Sequence, residues 1–262
     1  LEAVRQKLLN AVCPLLHNEA MTDSEHPELD RAACSAALVA FLAEARDLRL
    51  AAAADPVHGR RRQRLREWQA ARLAQTHADL LGSPRYARAA TFFLSDLYGE
   101  KDFSERDAEV ERILPLMTSM LPVSGLRTLL LAVEVDALSE RFDAAMVEAL
   151  GARLDAPTLS EAAYGEAYRK VGDRAGRETQ IRLIGETGEA LEALARRSFV
   201  RGALKMMHGP AYLAGLGELH AFLERGFEAF RSMRDASEFI EAIVDRERIV
   251  AAAMFSGKAL PG

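Results

Sequence analysis

A histidine on an apolar helix face is the clearest candidate for metal chemistry in this sequence. Six side chains after Pro210 recur at spacings of three and four, which places them on one face of a helix: Leu213, Leu216, His220, Leu223, Phe227 and Phe230. Burial would keep the imidazole of His220 neutral, with a lone pair available to iron or haem. The alternative is a core or partner-facing histidine that makes one hydrogen bond.

Other familiar patterns of metal ligands and nucleophiles are missing from the sequence. It has no Glu-x-x-His pair on a helix, no His-Glu-x-x-His, no Gly-x-Ser-x-Gly and no glycine-rich phosphate loop. Cys13 and His17 are one helical turn apart, but Pro14 lies between them and no third group orients them. We therefore expect no resident cofactor, and the alternative is haem or iron on His220 or His17.

A second histidine is a candidate for binding an anion. His208, together with Lys205, precedes the helix predicted to begin at Pro210. The free N–H groups and the dipole of a helix N-terminus favour negative charge, so the two side chains are candidates for contact with an anionic ligand. The alternative is a solvated loop histidine.

The densest basic stretch lies on a predicted helix from Arg60 to Arg72, around Trp68. On a helix, Arg64 and Arg72 flank the indole one turn away on each side, which allows cation–π stacking. One function of such a helix is to contact an acidic partner or a nucleic-acid backbone. The other interpretation, a solvated face balanced by the acids of the chain, argues against nucleic-acid binding.

Polar side chains cluster where one helix is predicted to end and the next to begin, between Ser83 and Arg112. They are Asp96, Tyr98, Asp102, Arg106 and Asp107. Gly99 would end the first helix and Ser104, with Asp107 three residues later, would cap the second. In a structural interpretation, Arg106 pairs with Asp96 or Asp102 and fixes the corner. In the other, the corner forms a ligand pocket together with Tyr164, Tyr168 and Arg169 from another helix.

Two blocks of the sequence resemble an uncharacterised bacterial family of all-helical proteins. The first carries Pro-Arg-Tyr, Phe-Phe-Leu-x-Asp-Leu-Tyr-Gly and Asp-Phe-Ser-x-Arg-Asp, and the second runs from Pro210 to Phe230. The resemblance implies a helical fold over most of the chain. The family has no established activity, so the resemblance supplies no catalytic residues.

The composition favours packed helices throughout. Alanine and leucine are abundant, aromatic residues make up 6% of the chain, and no segment alternates apolar and polar residues as a half-buried strand does. We expect a compact all-α array of about nine to ten helices without a sheet. The 262 residues are predicted to form one domain, with two helical lobes that meet near 151–157, where Gly151 and Pro157 interrupt the helices.

The cysteine content, the net charge and the amino-terminal sequence together predict a cytoplasmic protein. The chain contains two cysteines, a net charge of −5 and no apolar segment long enough to span a bilayer, and its amino end lacks the apolar core of a signal peptide.

The sequence as a whole leaves two hypotheses for function. The first is a non-catalytic helical protein, a homo-oligomer, that binds a small ligand or a protein partner; the second is a haem-oxygenase-like enzyme with histidine-ligated iron.

Overall fold

A computed structural model describes residues 27–97, 104–121 and 123–260, and within these ranges the chain forms eleven α-helices and no strand. The predicted all-α class is therefore confirmed. The candidate ligand His17 lies outside the described residues. In chain order the helices are α1 (Pro27–Ala54), α2 (Pro56–Thr76), α3 (Ala78–Gly82), α4 (Ala87–Phe92), α5 (Ser104–Met120), α6 (Val123–Leu150), α7 (Glu161–Val171), α8 (Arg174–Ala195), α9 (Ser198–Leu213), α10 (Gly217–Met233) and α11 (Ser237–Ser256).

Short polar and glycine signals define the helix ends. The side chain of Asp55 accepts a hydrogen bond from Val57 N at 2.8 Å and so caps α2, and Ser160 caps α7 in the same way. Gly172, with φ of 74°, ends α7 in the left-handed conformation. A π-helical turn, Phe93–Leu97, continues α4, and a 3-10 helix, Gly151–Asp155, follows α6. None of the described helices combines the length and apolarity needed to cross a membrane.

The long helix α6 packs against α1, α7 and α8, and most of the core lies around it and around α11. One apolar cluster joins α2, α6, α7 and α11 and includes Leu65, Met146, Tyr164 and Met254. A second joins α3, α4, α10 and α11 around Phe239, which is completely buried. Burial of such side chains stabilises the fold by roughly 1.5–3 kcal/mol each, so these clusters hold the helices in place.

The helix predicted to begin at Pro210 begins later in the structure. Pro210 lies inside the last turns of α9. The helix ends there, and Ala214 to Leu216 form the turn before α10, in which Gly215 adopts a φ of 66°. Proline is tolerated near a helix end, whereas a positive φ is accessible to glycine and stops a helix. His208 is therefore a residue of α9, not of a loop preceding a helix, while His220 lies on α10.

Helix α5 fixes the corner between α9 and α10. The guanidinium of Arg112 donates a hydrogen bond to the carbonyl of Gly215, inside the corner. The buried carboxylate of Glu109 accepts a hydrogen bond from Leu219 N at 2.7 Å, in the first turn of α10. These two bonds satisfy backbone groups that the end of one helix and the start of the next leave unpaired.

Candidate metal centre

The imidazole of His220 is buried and has an unsatisfied nitrogen. Only 5% of its side chain is exposed, and Nε2 is buried without a hydrogen-bond partner in the described part of the chain. A buried polar atom left unpaired costs about 1–3 kcal/mol, so native proteins almost always give such an atom a partner. This nitrogen is therefore a candidate ligand atom.

Two further ligand atoms lie beside His220. Glu224 is one turn further along α10, and its Oε1 is 3.4 Å from Nε2 of His220. His208 comes from α9, and its Nδ1 is 3.7 Å from Oε2 of Glu224. One potential ligand atom from each of the three residues lies within 4.8 Å of the other two.

These distances suit a small divalent ion. Two ligands that each bind zinc at 2.0–2.1 Å with tetrahedral geometry are about 3.4 Å apart. The separation of His220 Nε2 and Glu224 Oε1 has this value already, and His208 needs a small side-chain movement to complete the set. Two imidazoles and one carboxylate are a donor set used by zinc and by non-haem ferrous iron.

The exposure of the three side chains leaves the centre open on one side. His208 is 58% exposed and Glu224 is 39% exposed, whereas His220 forms the buried wall. Three protein ligands with solvent access leave at least one coordination position for water or another small ligand. An ion held by these three residues alone would have an open site, in contrast to a closed structural site with four protein ligands.

Tyr212 supports the exposed histidine. Its ring lies one turn after His208 on α9, with 4.9 Å between the ring centroids, and it also packs over Gly217. A Cβ at position 217 would lie 3.1 Å from Cε1 of Tyr212, so glycine permits this close approach. The contact limits the positions of the Tyr212 ring and therefore those of the His208 imidazole.

Asp96 belongs to the same part of the fold. Its carboxylate is buried and accepts hydrogen bonds from Nε and Nη2 of Arg225 at 2.9 and 2.6 Å. Both bonds end on Oδ1 of Asp96, and Arg225 follows Glu224 on α10, so they anchor the helix that carries two of the candidate ligands. Tyr98 and Asp102, both predicted for the corner, lie outside the described residues, as do the side chains of Arg106 and Asp107.

Two of the other predicted pocket residues, Tyr164 and Tyr168, lie in the core cluster of α2, α6, α7 and α11, whereas Phe92, one turn before Asp96, lies in the cluster around Phe239. Tyr164 is buried and stacks on Trp68 with 3.9 Å between the ring centroids, and Tyr168 packs in the same cluster. Burial raises the pKa of Tyr168 to about 12. Arg169 donates a hydrogen bond to the carbonyl of Met254 at 2.8 Å. The structure thus gives these three residues packing roles between α7 and its neighbours.

The arginines of α2 pair mainly with acids of the same chain. Arg62 and Arg66 bind the carboxylate of Glu140, which is 97% buried and also accepts a hydrogen bond from Arg49. Burial alone would raise the pKa of Glu140, but the three positive charges outweigh it and hold that pKa below its usual value. Other arginines of the helix bind acids as well, in the pairs Arg61–Asp155 and Arg72–Glu247. Trp68 is partly buried and packs on Tyr164 at the edge of the core.

Sequence reasoning identified His220 and His208 separately and did not join them. Glu224 follows His220 at a spacing of four, which is a visible signal for two ligands on one helix face. His208 could not be added, because the predicted helix start at Pro210 placed it in a loop. The break at Gly215 lets α9 and α10 pack against each other, and this packing brings the two histidines together.

The two sequence blocks that carry the family resemblance are in contact in the structure. Asp96 and Glu109 of the first block hydrogen-bond to Arg225 and Leu219 of the second. A family model described as a domain of unknown function (DUF8198) matches residues 48–261. The chain belongs to this family, in agreement with the resemblance to an uncharacterised helical family. No curated protein and no solved structure matches it.

Proposed function

We propose that this member of the DUF8198 family binds one divalent transition-metal ion, zinc or ferrous iron, at the corner between α9 and α10. His208, His220 and Glu224 are the protein ligands, and the open position accepts water or a small ligand. The observation that carries the proposal is the buried Nε2 of His220, which has no hydrogen-bond partner among the described residues and lies 3.4 Å from Oε1 of Glu224.

The proposal joins both hypotheses drawn from the sequence. A metal with an open position is a means of binding a small ligand. His220 is one of the two histidines given above as the alternative to the expectation of no cofactor. The grouping of the three donors favours a bare ion over haem: haem iron takes axial ligands along the normal to a flat ring, whereas these donors converge within 4.8 Å. When bound, such an ion acts as a Lewis acid and lowers the pKa of its water.

The neighbouring residues define what the chain itself contributes. Asp96 and Glu109 position α10, Tyr212 restrains His208, and the protein supplies one negative charge, from Glu224, against the two of the ion. A net positive charge at the centre favours an anionic or polar fourth ligand. The intramolecular ion pairs of α2 use much of its positive charge, which supports a role in stability for the basic helix instead of nucleic-acid binding.

Isothermal titration of metal-free protein with zinc and with ferrous iron tests this function. We expect one site per chain, with affinity for both ions far above that for magnesium, which prefers oxygen ligands. His220→Ala and His208→Gln should each weaken binding at least tenfold. His58→Gln, a change in α2 outside the cluster, is the matched control. Equal affinity in all four proteins would reject the site.

A further inference from the structure

A groove between the start of α8 and the end of α11 is rich in positive charge. Arg174, Arg177 and Arg248 line it, and the carboxylate of Glu178 is the acidic group among its lining residues. Glu178 binds Arg248, with 3.0 Å between Oε1 and Nε, and Asp245 lies 4.0 Å from the same guanidinium. Arg174 and Arg177 form no ion pair with any carboxylate of the described residues.

The two unpaired guanidiniums are held in place by aromatic rings. Arg177 lies between Phe142 and Tyr168, with its Cζ 3.8 and 4.6 Å from the ring centroids. Tyr168 in turn contacts Phe255, and the guanidinium of Arg174 lies 4.7 Å above the Phe255 ring. Cation–π contacts of this kind fix the orientation of a guanidinium without neutralising its charge.

The charge of Arg177 is incompletely satisfied inside the protein. Its Nη1 donates a hydrogen bond to Gln180 at 3.1 Å, but Nη2 is buried and has no hydrogen-bond partner among the described residues. A partly buried cation without a counter-charge destabilises the protein, and an anion brought into the adjacent groove would offset that cost. Orientation before binding also reduces the entropy that a ligand must overcome.

The remainder of the groove is apolar. Alanines of α8 and α11, namely Ala175, Ala251 and Ala252, form its surface together with the ring of Phe255. Small side chains and an aromatic ring accommodate a flat apolar group, while the arginines bind a carboxylate through paired N–H donors.

We propose that the groove between α8 and α11 is a second binding site, for a small organic anion that carries a carboxylate on a flat apolar body. This site is independent of the metal centre, because none of its lining residues belongs to the α9–α10 corner. Arg174 and Arg177, which have no carboxylate partner among the described residues, select the charge, and the alanine and phenylalanine surface selects the planar group.

Benzoate is a suitable probe, with acetate and benzyl alcohol as partial mimics that lack the ring or the charge. Titration followed by NMR should use metal-free protein with a chelator, so that no carboxylate binds at the metal centre. We expect saturable binding of one benzoate per chain, at least tenfold weaker binding of acetate and benzyl alcohol, and shifts at Ala251 and Ala252.

Variants of one helix provide the control. Arg174→Gln should weaken benzoate binding at least fivefold, because it removes one of the charges that bind the carboxylate. Arg174 is exposed and forms no ion pair with the described residues, so we expect its loss to leave the fold intact. Arg182→Gln alters an exposed arginine of α8 that binds Glu186 and should have no effect. Absence of saturable benzoate binding, shifts outside the groove, or equal affinity in the Arg174 and Arg182 variants would overturn the proposal.

Discussion

The carboxylate of Glu109 on α5 accepts a hydrogen bond from the backbone N–H of Leu219, at 2.7 Å and away from solvent. Leu219 precedes His220, so this bond sets the position of the α10 turn that carries the buried histidine. The carboxylate acts as a cap supplied by another helix, since the side chain of Leu216, at the start of α10, cannot cap it.

Replacing Glu109 should therefore affect the proposed metal site, although Glu109 is not one of its ligands. Glu109→Leu leaves the N–H of Leu219 buried and unpaired, and we expect a loss of about 1–3 kcal/mol in the free energy of unfolding. Groups that position metal ligands typically influence affinity by about 10–100-fold, so zinc affinity should fall about tenfold. Urea unfolding and zinc titration measure the two effects.

Glu109→Gln is the matched variant, because the amide oxygen still accepts the hydrogen bond from Leu219. We expect it to keep most of the stability and zinc affinity of the native protein. A Gln variant as impaired as the Leu variant would show that the charge of Glu109, not its hydrogen bond, is what matters.

Glu140 should be among the most sensitive residues for stability. Glu140→Gln removes the negative charge that three arginines share. Arg62 then lacks an ion-pair partner among the described residues, while Arg49 keeps Asp136 and Arg66 keeps Asp143. We expect a loss of about 3–5 kcal/mol in the free energy of unfolding, measured by urea denaturation. Glu44→Gln, which breaks an exposed pair with Arg141, should cost less than about 1 kcal/mol. Similar losses in both variants would contradict the assignment.

Asp143 belongs to the same network but should respond in the opposite way. Burial and the neighbouring charge of Glu140 raise its pKa despite the contact with Arg66. The carboxyl of Asp143 thus has a higher pKa in the folded protein than in the unfolded chain. Its contribution to stability is fully present at pH below its pKa in the unfolded chain, and it is lost as pH rises through its pKa in the folded protein. At neutral pH the ionised form is therefore a cost that asparagine avoids.

We accordingly expect Asp143→Asn to gain stability relative to the native protein as pH rises from about 4 to 8, by about 1.4 kcal/mol for each unit of the pKa increase. Urea unfolding of both proteins across this pH range measures the difference. A constant difference between the two proteins at all pH values would refute the raised pKa.

The contact between α10 and α4 predicts a glycine effect of defined sign. A Cβ at Gly226 would lie 2.9 Å from Cζ of Phe92, a buried ring that packs against Phe222. Gly226→Ala should therefore destabilise the protein by about 1–3 kcal/mol, as insertion into a packed core does. A Cβ at Gly202 in α9 would meet no described atom within 4 Å, so Gly202→Ala should raise stability by about 0.5–1 kcal/mol. Thermal unfolding of both variants distinguishes these outcomes.

The sequence predicted the helices well because their signals are local. Asp55 with Pro56, and Gly172 after α7, define helix ends through neighbouring residues alone. The predicted helix start at Pro210 was wrong. Proline usually begins or follows a helix, whereas here the contacts of Gly215 and Leu219 with α5 determine where α9 ends and α10 begins. Such contacts join residues more than 100 positions apart and have no local sequence signal.

The candidate site was predicted only in part for the same reason. His220 was identified from its apolar stripe, whereas Glu224 was not predicted, although its spacing of four from His220 is visible in the sequence. The third ligand, His208, depends on how α9 folds back on α10, and the partners of Asp96 depend on the packing of α4 against α10. The corresponding predictions for Tyr98 and Asp102 fall outside the described residues and stay predictions.

Anomalous X-ray scattering from crystals of the zinc-loaded protein tests the metal centre most directly. We predict one zinc peak per chain at the α9–α10 corner, within about 2.0–2.2 Å of a nitrogen of His208, Nε2 of His220 and a carboxylate oxygen of Glu224. A peak elsewhere on the chain, or a zinc-saturated crystal with no peak beside His220, would contradict the account.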